Sequence, residues 1–130
     1  MRTLIAVVLA SAGVLATTPL SAQQQPAAAQ AKGEPVTITA DVIDLSCKFV
    51  NGASGDAHRQ CAQVCADKGQ PLALLGTDGT VYLPVNGGMG TAGENARLRA
   101  HAEHRVRVRG RVIEQGGVKA IRIESIEMPS

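Results

Sequence analysis

Arg105-Val106-Arg107-Val108-Arg109-Gly110-Arg111-Val112 alternates arginine with an apolar or small residue along its whole length. A strand places successive side chains on opposite faces, so the valines go to a core and Arg105, Arg107, Arg109 and Arg111 go to solvent. Downstream, Gln115-Gly116-Gly117 turns the chain, and Val118 to Ile126 reads as the final strand with Ile121 and Ile123 inward. Upstream, Pro71 to Leu75 and Thr80 to Val85 flank Thr77-Asp78-Gly79, the pattern of a hairpin. Val36-Thr37-Ile38-Thr39-Ala40-Asp41-Val42 alternates again, with Ile43 and Leu45 on the other parity. A bulge near Asp41 to Ile43 reconciles the two halves. These strands and their regular turns predict a mainly β chain of about five strands, folded as a small closed or partly open barrel that manages its own edges.

Between the first strand and the hairpin the period changes. Asn51 to Asp56 reads as a loop. Asp56 is a good N-cap for a helix over Ala57 to Lys68, Gly69 suits the left-handed position after it, and Pro71 stops it. A second short helix is expected within Glu94 to Glu103. Ahead of the strands, Arg2 and the apolar run from Leu4 to about Ala16, followed by Leu20-Ser21-Ala22, form a signal peptide over 1–22, cleaved before Gln23. The run is too short for a membrane anchor, so no transmembrane segment is expected after cleavage. Residues 23–35 are rich in Gln, Ala and Pro and read as a flexible linker. Residues 36–130 form one small domain, destined for the periplasm or for secretion.

The net charge is +2, and +1 without Arg2. That balance carries no mandate for nucleic acid or membrane. With one Phe, one Tyr and no Trp there are few stacking platforms, so no nucleic acid is expected as a partner.

Chemistry concentrates in Cys47, Cys61 and Cys65. Cys61 and Cys65 lie i, i+4 on one helix face, with His58 a turn earlier on the same side. Three thiols outside the cytoplasm leave at least one free, metal-bound or paired with another chain. One reading is a structural disulfide from Cys47 to Cys61 or Cys65, closing a loop of about 15 residues and contributing about 3 kcal/mol. A second is a soft-metal site, copper or zinc, with the three thiolates as ligands and His58 as a fourth. Lys48, Arg59 and Lys68 are close enough in sequence to lower the thiol pKa values. A third is a thiol relay, although the spacing is C-x-x-x-C and no thioredoxin-like βαβ pattern surrounds it.

Asp44-Leu45-Ser46-Cys47, Gly52 through Cys65, Gly69-Gln70-Pro71-Leu72-Ala73-Leu74-Leu75 and the strand from Val106 to Val112 together resemble a family of small exported bacterial proteins. Those proteins pair a Cys-x13-Cys-x3-Cys insert with OB-fold-like strands. The resemblance spans roughly Glu34 to Glu127. It implies an OB-like five-stranded barrel with a cysteine-bearing helix inserted after strand 1, and a thiol cluster. Members often carry Tyr directly after the first cysteine; here Lys48 and then Phe49 follow.

Other signals are weaker. Gly88-Met89-Gly90-Thr91-Ala92-Gly93 matches G-x-G-x-x-G but lacks the βαβ unit that a dinucleotide site needs. Met89 there is at most an auxiliary thioether ligand for copper. His101, Glu103 and His104 make a weak surface metal site. Ser46, Ser54 and Ser125 lack nucleophile-elbow context. The expectation is a binding module and not an enzyme, with a metal ion or a protein partner. The alternative is a disulfide-stapled module that binds an anionic ligand or partner through Arg105, Arg107, Arg109 and Arg111.

Overall fold

The computed structural model describes residues 32–87 and 93–129. The expected signal peptide, most of the linker, and Gly88 to Ala92 with Met89 lie outside the described residues.

Five strands form a closed barrel: β1 (Glu34–Asp44), β2 (Leu72–Gly76), β3 (Val81–Pro84), β4 (Arg105–Gln115) and β5 (Val118–Glu127). The ring order is β1-β2-β3-β5-β4. Neighbours are antiparallel except β3 and β5, which run parallel. This is an OB-like barrel. Its interior follows the alternation in the sequence: Ala40, Val42, Leu74, Val106, Val108 and Ile121 are fully buried. Val36, Ile38 and Val112 pack against them, partly buried.

β1 stays in continuous register with both neighbours, pairing β4 through Asp41 and β2 from Ala40 onward. The register shift falls instead between Arg109 and Gly110, where β4 meets β5. The parity change at Ile43 needs no bulge, because both faces of β1 are buried there. Val42 and Leu74 face the core, while Ile43 and its cross-strand partner Ala73 are buried on the other side.

Among the described residues three helices decorate the barrel: α1 (Leu45–Asn51), α2 (Arg59–Asp67) and α3 (Asn95–Leu98). The inserted segment holds two of them. α1 replaces what reads in sequence as strand end and loop. Asp44 caps it by accepting from the Cys47 N–H at 2.9 Å, and Gly52, at φ 68°, closes it with its N–H on the Lys48 and Cys47 carbonyls. A 3-10 turn over Asp56–His58 leads into α2. Asp56 does not cap that helix; Gly55, at φ 83°, begins the turn and Asp56 pairs with Arg59. Gly69, at φ 91°, ends α2 as expected, with the Gln70 N–H returning to the Cys65 carbonyl at 2.9 Å. Ala62 and Ala66 are the buried residues of α2, and the helix packs on β1. α3 is extended by a 3-10 turn, Arg99–His101, between β3 and β4. Among the described residues no helix is long and apolar enough to cross a membrane.

Candidate metal centre

Asp44, Cys47 and His58 each place a donor atom within 4.8 Å of the other two. The end of β1 supplies Asp44, the first turn of α1 supplies Cys47, and the 3-10 turn before α2 supplies His58. Asp44 is fully buried. Its Oδ1 accepts the capping hydrogen bond, but its Oδ2 is buried with no partner. A carboxylate oxygen so placed is costly unless a cation or proton meets it.

His58 is held from behind. Its Nδ1 donates to Glu103 Oε1 at 3.0 Å, and the other oxygen of Glu103 accepts from the Gly55 N–H at 2.7 Å. The Glu103 side chain is only 2% exposed and that of His58 12%. With Nδ1 on Glu103, a ligand would be met by Nε2, the arrangement by which carboxylates commonly orient metal-binding histidines. Glu103 itself sits at φ 61°, a backbone state that non-glycine residues rarely adopt. It is held there by its N–H on the Val42 carbonyl at 2.7 Å, while the Val42 N–H donates to the His104 carbonyl at 2.9 Å. Strain of this kind persists where the surroundings over-determine it, commonly at functional sites.

The three sulfurs do not all lie within 4.8 Å of one another, and neither Cys61 nor Cys65 comes that close to every member of the trio. All three cysteines are free thiols; Cys61 is exposed, and Cys47 and Cys65 are half-buried. Burial, then the Asp44 charge and that of Cys61, push the Cys47 thiol up from its ordinary value. Burial and the hydrogen bond with Cys61 push Cys65 up to about 11, and the charges of Asp44 and Cys47 add to it. The expected lowering by nearby bases does not occur. Arg59 turns to Asp56 and to His104 Nδ1 at 3.5 Å, and Lys48 donates to Ser54 at 3.2 Å.

Asp44 and Glu103 are therefore the site residues that the motif reading missed. The D-x-x-C spacing of an N-cap was a usable signal for Asp44. Glu103 was placed with His101 and His104 on the surface, and the fold instead buries it against His58.

The arginine face is broken up. Arg105 makes a two-pronged pair with Asp41 at 2.9 and 3.1 Å. Arg111 meets Glu124 at 3.5 Å and donates to the Gly33 carbonyl at 2.9 Å. Only Arg107 and Arg109 are exposed without an ion pair among the described residues.

Fold and site together define an OB-like barrel that carries a buried Asp44 with a half-buried Cys47 and His58, and a pair of helical thiols on α2. Comparison of the chain with protein-family profiles, with curated proteins and with solved structures finds no match.

Proposed function

We propose that this domain is an exported metal-binding module that holds one zinc ion on Asp44, Cys47 and His58. The single observation that carries this reading is the fully buried Asp44 carboxylate, one oxygen of which has no partner, with a carboxylate oxygen within 4.8 Å of a thiol and an imidazole. Without a cation, the Asp44 charge opposes ionisation of Cys47. A divalent ion removes the conflict, because it neutralises the carboxylate and replaces the thiol proton. Zinc bonds of about 2.0–2.3 Å set tetrahedral donors about 3.3–3.8 Å apart, so donors already within 4.8 Å need draw in by only about an ångström. The carboxylate favours zinc over Cu(I), which prefers sulfur donors throughout.

Cys47, His58 and Glu103 also align in the order of a hydrolytic triad. A nucleophilic cysteine needs a lowered pKa, whereas this one is raised, first by burial and then by the charge of its own helix cap. Binding is the better reading. Arg107 and Arg109 support a second one, salt-sensitive docking of an anionic partner on the outer face of β4.

The test is zinc titration of reduced, anaerobic protein, read by native mass spectrometry and chelator competition. One ion per chain is expected. Cys47→Ser and His58→Ala should each weaken binding by about a hundredfold or more, and Glu103→Gln by about 10–100-fold through lost orientation of His58. Full zinc affinity in Cys47→Ser sinks the proposal.

A further inference from the structure

β1 outruns the strand beside it. It pairs with β4 from Glu34 to Asp41, but with β2 only from Ala40↔Gly76 onward. There β2 ends in a turn, with the Gly76 N–H on the Thr80 carbonyl at 2.8 Å. Among the described residues, Glu34 to Thr39 therefore have a partner strand on one side only. In an antiparallel pair, alternate residues turn their N–H and C=O to the partner, and those between turn them away. Val42 bonds on the β4 side, its N–H on the His104 carbonyl and its carbonyl receiving the Glu103 N–H. The Leu45 N–H goes the other way, to the Pro71 carbonyl just before β2. By this alternation the even-numbered residues of β1 serve β4, and Thr37 and Thr39 turn their backbone groups to the open edge. Pro35, with no N–H for β4, fits the same parity.

This edge borders a groove of about 280 Å³, with Thr37, Ile38 and Thr39 on one side and Gly76, Asp78 and Tyr82 on the other. The edge of β5 beyond β3 is covered instead: the Val85 N–H meets the Ile121 carbonyl and Arg97 the Ile123 carbonyl, both at 2.9 Å. An open edge accepts another extended chain, whose main chain supplies the affinity and whose alternate side chains supply the choice. On the outer face Thr37 and Thr39 are exposed, and one strand further Arg109 lies opposite Thr37 and Arg107 opposite Thr39. The acids around them are engaged elsewhere: Asp41 with Arg105, Glu124 with Arg111, and Asp78 with the Thr80 N–H and hydroxyl. Strands lie about 4.8 Å apart, so an added strand has its outer side chains about 10 Å from the arginine backbone, a gap that glutamate and arginine span together.

We infer that β1 is a strand-addition site: an extended acidic segment of another protein pairs with Thr37 and Thr39, and its alternate carboxylates meet Arg107 and Arg109. This rests on the anionic-partner reading above, to which it gives a chemical form, and it is independent of zinc. A second copy is the poorer occupant, because two joined β1 edges gather four unpaired arginines on one face.

The probe is a synthetic blocked peptide alternating glutamate with threonine, added to isotope-labelled protein and followed by amide exchange in NMR. At about 90% occupancy the Thr37 and Thr39 amides should exchange about tenfold more slowly, since only free protein exchanges, while Ile38 and Ala40 should not change. Two further peptides are N-methylated at alternate residues, one in each phase; one should bind as the parent does and the other should not bind. Thr37→Pro removes one edge N–H, leaves the β4 ladder intact and should abolish binding; the methylated peptides carry the same test should that variant not fold. Arg107→Glu with Arg109→Glu should weaken binding by about three- to tenfold. No binding of the parent peptide, or equal binding of both methylated peptides, overturns strand addition. Equal binding that charge reversal still weakens leaves the anionic-partner reading standing alone, and binding indifferent to charge reversal removes that reading as well. Dimerisation without peptide would make a second copy the occupant and overturn the inference.

Discussion

Asp44 divides its two oxygens between two tasks. One ends β1 and starts α1 by capping the Cys47 N–H, and the other is buried without a partner beside Cys47 and His58. The same residue therefore fixes where Cys47 sits and makes its ionisation unfavourable in the absence of a cation. Cys65 is pushed from 9.0 to about 11 first by burial, then by the hydrogen bond and charge of Cys61, with the Asp44 charge adding to them. In metal-free, reduced protein the folded state keeps a proton that the unfolded chain gives up near pH 9. Because the folded value is raised, this stabilisation is complete below pH 9 and is lost as pH rises through about 11. The urea midpoint should fall across that window, and fall less steeply in Cys65→Ser; equal slopes in the two proteins would refute the assignment. The cysteines and His58 were legible in the sequence because their residue types announce chemistry. Glu103 was not, because nothing local distinguishes it from the charged residues around it. Only the pairing of Val42 with the 103–104 backbone turns it inward.

At the scale of elements, the tightest point lies where β4 crosses β5. A Cβ on Gly110 would lie 2.4 Å from the Arg122 carbonyl oxygen and 3.3 Å from Ile121 Cγ1. The obstacle is backbone, which cannot swing aside as a flexible side chain does, and the register shift begins at this glycine. Gly110→Ala should destabilise the fold by about 1–3 kcal/mol, as overpacking typically does, measured by urea unfolding. A loss below about 0.5 kcal/mol, the range of ordinary surface changes, would show that the crossing relaxes freely. The strands were readable because period-2 alternation survives in β1, β4 and β5. α1 was not, because it is short and depends on one side-chain cap and one left-handed glycine. The parity change at Ile43 predicts a bulge in β1, but β1 keeps its register and the shift lies in β4. A strand covered on both faces shows the same pattern.

The molecule as a whole is a ring of unequal walls. β1, β4 and β5 have ten or eleven residues each and pair over long stretches. β3 has four residues, none fully buried, and meets β2 through two pairs in register and β5 through three. The Asp44, Cys47 and His58 cluster begins at the end of β1, and Glu103 sits just before β4. The thin wall is therefore not the wall that carries the site. In amide hydrogen exchange, protection should fade first over Val81 to Pro84 and last in β1 and β4. Uniform protection around the ring would contradict this. On this expectation the barrel opens and recloses on its far side while Asp44, Cys47 and His58 keep their spacing.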